Sequence, residues 1–385
     1  MLGMKRKIVV TLVLVIEMVV LFSVMPYGAA EESTLAPVQL RILETTDLHG
    51  RMMNFDYEEN RYTDEFGLVR TASLINNARA EVPNTLLFDV GDLLQGNELA
   101  EFAAKKGKVE EGNVHPVFKA MNLLHYDAAT FGNHDFHYGF DFLHHSISGA
   151  NFPYVNANIF INDYNNTDFD DVNFYEPYVI LRKKVVDAFG IKHPVNIGVI
   201  GFVTPKVMQW EKKSLEGMVK VKDIVSTAEY FIPRMKEEGA DIIIALAHSG
   251  LDATKNEQDE VYPLSKIEGI DVILFGHRHV VFPDQSRFKN IEGVDNKAGT
   301  INGVAGVEAG SWGNYLGIVD LIIEQQEGRW RVTQSKSKAV PIVKTIKKKK
   351  KATVSSDKSI VDAVREDHEK TIEYYQKKTA RKKRK

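Results

Sequence analysis

Asp47 and His49, Asp92, Asn133, His248, and His277 and His279 are the residues of this 385-residue sequence best suited to chemistry. Each stands at or just behind a short apolar, β-branched segment, five segments in all, and glycine adjoins several of them (Gly50, Gly91, Gly132, Gly276). Asp-x-His and His-x-His at i, i+2 put both side chains on one side of an extended segment, whereas a helix would spread them around its circumference. Two Asp, four His and one Asn offer enough donors for two cations with one carboxylate shared. Two divalent ions about 3.5–4 Å apart clamp a phosphate and provide a hydroxide nucleophile near neutral pH. His134, beside a donor rather than among the donors, is suited to protonating a leaving alkoxide or stabilising the transition state. The sequence has no cysteine, which removes disulfides, thiolate nucleophiles and sulfur-based metal sites. The remaining N and O donors suit Mn, Zn, Co, Fe or Mg.

Something must hold these residues at one place. Six segments read as strands: Val38–Glu44, Thr85–Val90, Ala128–Phe131, Val195–Val203, Asp241–Ala247 and Asp271–Phe275. Leu68–Ala80, Val114–Leu124 and Ile224–Glu238 carry apolar residues near helical spacing. Alternation of the two predicts α/β layering, with ligands gathered beyond the carboxyl ends of the strands. Gly317–Glu324 and Trp330–Lys336 predict a late hairpin around Glu327-Gly328, and Asn158–Asn173 reads as a surface loop. The lysine run in 346–351 predicts a solvated break, Ile360–Tyr375 a partly amphipathic helix, and Arg381–Lys385 a basic tail.

The net charge of −3 conceals an asymmetry. Residues 344–385 carry 16 basic and 6 acidic side chains, the first 30 carry 3 and 1, and residues 31–343 carry 30 and 45. An acidic body repels polyanionic nucleic acid, so no nucleic-acid partner is expected, and a phosphate site inside it needs local cations. Lys5, Arg6 and Lys7 precede an apolar run from Ile8 to Val24, with Gly28, Ala29 and Ala30 before Glu31. This is signal-peptide anatomy, with cleavage after Ala30, and Glu17 argues against retention as a membrane anchor. The expectation is an exported protein of the cell envelope, periplasm or exterior, with no stable span after cleavage.

Taken together, Asp-x-His, Gly-Asp, Gly-Asn-His-Asp, a lone His closing a strand and Gly-His-x-His resemble the calcineurin-like metallophosphoesterases. The stretches Leu43–Gly50, Gly67–Ala72 and His115–Asn122 narrow the likeness to the 5′-nucleotidase group. Within that group they are most similar to the bacterial 2′,3′-cyclic-nucleotide 2′-phosphodiesterases/3′-nucleotidases. The resemblance spans roughly residues 38–343. It implies a four-layer α/β/β/α sandwich over 31–345, followed by a basic linker helix and tail over 346–385. It also implies one divalent ion held by Asp47, His49, Asp92 and His279, and a second by Asp92, Asn133, His248 and His277. Asn133 and His134 would meet the substrate, and Asp135 would orient His134; where some relatives place that orienting Asp, three residues after His134, this sequence has His137. The implied substrates are 2′,3′-cyclic nucleotides and 3′- or 5′-nucleotides, hydrolysed by hydroxide attack on phosphorus.

Relatives of this kind continue into a C-terminal domain that supplies aromatic and basic side chains for the nucleotide, and the sequence stops near the linker to it. A partner supplying that domain, a nucleotide- or partner-binding module with weak turnover, and a related sulfur-ester hydrolase are the alternative expectations. Outside the motif, His115, His125, His137, His144, His145, His193 and His368 are expected to serve packing or surface roles, and Trp210, Trp312 and Trp330 to lie in the core or at the site's rim.

Overall fold

Ten strands of the computed structural model, which describes residues 35–105, 113–165, 171–253 and 259–382, carry most of the architecture. They are β1 (Val38–Thr45), β2 (Thr85–Asp89), β3 (Ala128–Ala129), β4 (Tyr178–Val186), β5 (Lys192–Val203), β6 (Ile242–His248), β7 (Val272–Phe275), β8 (Val304–Ala309), β9 (Tyr315–Gln326) and β10 (Arg329–Pro341). One sheet runs β10-β9-β1-β2-β3, with β1, β2 and β3 parallel. The other runs β8-β7-β6-β5-β4, parallel from β8 to β5, and is extended past β8 by two short strands. The expected leader, residues 1–30, lies outside the described residues.

Period-two burial explains the layering. Along β6, Ile243, Ala245 and Ala247 pack with Ile224, Ala228, Phe231 and Ile232 of a covering helix, Ile224–Glu237. The alternate residues Ile244 and Leu246 are equally buried but belong to the opposite face. On the first sheet, Leu43 and Leu87 pack with Leu68, Val69, Ala72 and Ile75 of α1 (Leu68–Glu81), whereas Ile42 and Phe88 are buried on the other side. Strand β8 packs against β9 and β10 of the facing sheet. Each sheet thus has helices on one face and the other sheet on its second face. This is the expected α/β/β/α sandwich.

Three local expectations need correction. The lysine run is not a break: Val343–Ile346 pairs antiparallel with Lys349–Ala352 across a two-residue turn, with Lys347 and Lys348 both left-handed. The side chains are solvated while the backbone still finds partners, which a charge pattern does not reveal. Within Asn158–Asn173, Ile159–Ile161 is a strand paired with Val219–Val221. Asn158 is buried, accepting from the Val203 amide and donating to the Val203 and Lys222 carbonyls. Strand β4 was not anticipated, because it lies at a sheet edge and Arg182, Lys183 and Lys184 interrupt its apolar run.

The C-terminal helix α2 (Lys358–Lys382) is docked on the body. Asp357 accepts from the Ser359 and Ile360 amides at its start, and Ile360 and Val364 are fully buried. Lys119 meets Asp367 at 2.8 Å, and Tyr57 Oη is 2.8 Å from His368 Nδ1. Among the described residues no helix is long and apolar enough to cross a membrane.

Candidate metal centre

All seven donors named from sequence converge at the carboxyl ends of the parallel strands. The loops after β1, β2 and β3 deliver Asp47 and His49, Asp92, and Asn133 from the first sheet. Strand β6 ends in His248, and the turn after β7 carries His277 and His279, from the second. Backbone bonds from Asp47 N to Gly91 O (3.0 Å) and from His49 N to Asp92 O (2.8 Å) fasten the first two loops together.

The i, i+2 pairs converge, but not by extended alternation. Asp47, His49, Asp92, His277 and His279 all have left-handed backbones, with φ between 47° and 79°. That conformation costs a non-glycine residue about 1 kcal/mol or more, so five cases at one place mark strain held by the surrounding fold. Two glycines matter for space rather than φ. A Cβ on Gly132 would lie 2.1 Å from Asp92 Oδ1, and one on Gly276 would lie 2.1 Å from Thr46 Oγ1 and 2.7 Å from Asp47 Oδ2.

Donor atoms face one another at short range. His279 Nε2 is 3.2 Å from Asp47 Oδ1 and 3.1 Å from His49 Nε2. Asp92 Oδ2 lies 3.7 Å from His49 Nε2 and 3.3 Å from His248 Nε2, so one carboxylate reaches both halves of the site. His277 Nδ1 and Asn133 Oδ1 are 3.0 Å apart. The ligand atoms of Asp47, His49, Asp92 and His279 all fall within 4.8 Å of one another.

Backbone carbonyls set the tautomers. His49 Nδ1 donates to Gln95 O at 2.7 Å and His248 Nδ1 to Val90 O at 2.8 Å, so that in the neutral imidazole that binds a cation the lone pair is on Nε2, the atom facing Asp92. Asp47 Oδ1 and His248 Nε2 are buried, and their close approaches to neighbours lack hydrogen-bond alignment. A pocket of unshared lone pairs on hard and borderline atoms fits divalent cations.

A family profile described as calcineurin-like phosphoesterase matches residues 40–281, a range that contains all seven donors. The chain belongs to that family. It is 46% identical over 349 residues to the 2′,3′-cyclic-nucleotide 2′-phosphodiesterase/3′-nucleotidase of Salmonella typhimurium, spanning 89% of this chain and 52% of the relative. It is 43% identical over 355 residues to the trifunctional nucleotide phosphoesterase protein YfkN of Bacillus subtilis, spanning 90% of this chain and 23% of that protein. A crystal structure of calcineurin-like phosphoesterase YfkN from B. subtilis superposes with a TM-score of 0.81 at 42% identity, covering 88% of this chain and 99% of that one. The chain spans about half the length, or less, of these curated relatives.

Electrostatics in this calcineurin-like phosphoesterase set ionised carboxylates against imidazoles among the donors. Burial disfavours charge on both Asp92 and His248, yet their attraction prevails: Asp92 is held below the usual carboxylate range and His248 is raised to about 10. Burial also opposes the Asp47 charge, and contact with His279 overcomes it, lowering the carboxylate and raising the imidazole. His277 is lowered to about 4 by burial, with the His248 charge adding to the effect. Behind the ligands, Glu44, Asp89 and Glu308 are fully buried and pushed well above the carboxylate range by desolvation.

The residues around the donors are arranged less simply than expected. The His134 ring stands edge-on to His49 with centroids 5.1 Å apart, and its amide donates to Asp92 Oδ1 at 2.8 Å. Burial lowers its basicity, and its Nδ1 is buried without a partner. Asp135 does not orient that ring. Its carboxylate accepts from the amides of Gly132, Asp92, Leu93 and Leu94 at 2.8–3.0 Å, clamping the β2 loop to the β3 loop. His137, expected to serve a packing or surface role, is exposed and lies 3.4 Å from Glu211, and the neighbouring Trp210 stacks on His277. The pairing joins residues 74 positions apart, for which local sequence holds no signal.

Proposed function

We propose that this chain is an exported dinuclear-metal phosphoesterase that hydrolyses nucleotide phosphate esters: 2′,3′-cyclic nucleotides and 3′- or 5′-nucleotides. The observation that carries the reading is the convergence of seven N and O donors from two sheets on one pocket, with Asp92 reaching both halves. The names of the relatives support the substrate class. The basic-apolar-small order of residues 5–30 supports export, and a mature N-terminus at Glu31 in envelope or culture fractions would test it.

Asp47, His49, Asp92 and His279 would hold one ion, and Asp92, Asn133, His248 and His277 the other. When bound, such ions supply Lewis-acid polarisation of phosphate oxygens and a nucleophile active at neutral pH. The protein's own residues do the remainder. Asn133 would present an amide to the phosphate, and His134, in its protonated form, would give its proton to the leaving oxygen as the ester bond breaks and be left as the neutral imidazole. Asp135 holds the loops carrying Asp92 and Asn133 in register.

The test is product release by residues 31–385 with Mn or Zn: p-nitrophenol from bis-p-nitrophenyl phosphate, 3′-AMP from 2′,3′-cyclic AMP, and phosphate from 3′-AMP and 5′-AMP. Linear release in time, absent from Asp92→Ala, is expected. Release that stops at one equivalent would instead favour a binding module with weak turnover. Absence of release with two ions bound would overturn the enzymatic reading.

A further inference from the structure

We infer that Trp210 is a stacking platform for the nucleobase of the substrate, built into this domain itself; the inference rests on the nucleotide reading above. Its indole lies nearly parallel to the His277 imidazole, with centroids 5.1 Å apart and planes 24° from parallel. One face of the indole therefore covers a candidate ligand, while the side chain as a whole remains 41% exposed.

The other tryptophans are engaged differently. Trp330 is buried and donates to Pro194 O; Trp312 is 39% exposed, but its ring already contacts the Arg51 guanidinium at 4.5 Å and the edge-on Phe66 ring. Among the described residues no further ring or cation contacts Trp210. A large apolar ring left in water forgoes the stabilisation that burial would bring, and here it does so against His277, one of the converging donors.

The ring is also held in place. Val207–Trp210 forms a helical turn after β5, with Trp210 N bonded to Lys206 O and Glu211 N to Val207 O. Glu211 then meets His137 at 3.4 Å, which ties this turn to the segment carrying Asn133 and His134. A platform anchored to both the His277 wall and the Asn133 loop can accept a planar base while the phosphate sits among the donors. Stacking needs only a π-face, so bases would be distinguished weakly.

The first test is tryptophan fluorescence of the metal-loaded protein titrated with adenosine, which has no phosphate to hydrolyse. Saturable quenching is expected in the wild type and in Trp312→Phe, and its loss in Trp210→Phe. Quenching that persists in Trp210→Phe, or no quenching in the wild type, would overturn the proposal.

The second test compares KM for 3′-AMP with KM for glycerol 2-phosphate, which lacks a base. Their ratio should rise about tenfold in Trp210→Ala and return to within about twofold in Trp210→Phe. A merely structural role, orienting His277, would alter metal content and shift both substrates together, leaving the ratio unchanged. If the wild type turns over neither substrate, the phosphoesterase reading fails, and the fluorescence titration still decides whether Trp210 binds a base.

Discussion

Asp92 has several partners at once, which is why it should tolerate no substitution. Its Oδ2 faces His49 and His248, its Oδ1 accepts the His134 amide, and its own amide donates to Asp135. Asp92→Ala should reduce phosphate release to the blank and deplete bound metal, measured by elemental analysis of the purified protein. His134→Ala should behave oppositely in one respect. Turnover should fall by roughly 10²–10⁴, the range for losing a general acid or base, with metal content near that of the wild type. Loss of metal from His134→Ala would make it a ligand and refute its assignment. At this scale the donors were legible because each sits at a strand end, where residue type and position coincide. The roles of Asp135 and His137 were not, because their partners are backbone amides and a distant Glu211.

Elements show where loop rigidity comes from. Asp135 gathers four amides from two loops, so Asp135→Asn, which replaces an acceptor oxygen by a donor, should weaken metal binding roughly 10–100-fold while leaving the fold intact. Calorimetric titration of the apoprotein with Zn would read this, and unchanged affinity would remove the clamp from the argument. His115 illustrates a second element-level device. It precedes the helix Pro116–Leu123, and its buried Nδ1 accepts the Val117 amide, so the capping group is a neutral imidazole. Burial lowers it to about 3, with the Lys119 charge adding slightly. The folded form therefore binds fewer protons than the unfolded chain between about pH 6.5 and 3. Its contribution is complete above pH 6.5 and is lost as the pH falls through that window. His115→Asn, which keeps a capping acceptor, should flatten the decline in denaturation midpoint between pH 7 and 5; an unchanged slope would assign it elsewhere. Central strands were readable because both faces are apolar, whereas edge strand β4 and the Lys347-Lys348 hairpin depend on backbone pairing that side-chain pattern does not encode.

The whole molecule joins parts that are far apart in sequence. Helix α2 buries Ile360 and Val364 and pairs His368 with Tyr57 across more than 300 residues. Removing residues 357–385 should lower the melting temperature by about 6–24 °C, since burial of two such side chains alone is worth about 3–6 kcal/mol and each kcal/mol shifts a domain of this size by about 2–4 °C. An unchanged melting temperature would make the helix an appendage. The layered fold was legible from strand and helix alternation, and the apolar stripe on Ile360–Tyr375 already pointed to a helix packed on the body; its contacts with Lys119 and Tyr57 were not legible, because local pattern does not name a distant partner. The division of the donors between two sheets also bears on biosynthesis. Asp47, His49, Asp92 and Asn133 are all translated before the ribosome reaches His248, 115 codons further on. At about 5–20 residues per second, the nascent chain carries an incomplete coordination set for roughly 6–23 s. His277 and His279 follow later still, so on the proposed two-ion reading high-affinity capture would await a chain long enough to bring both sheets together.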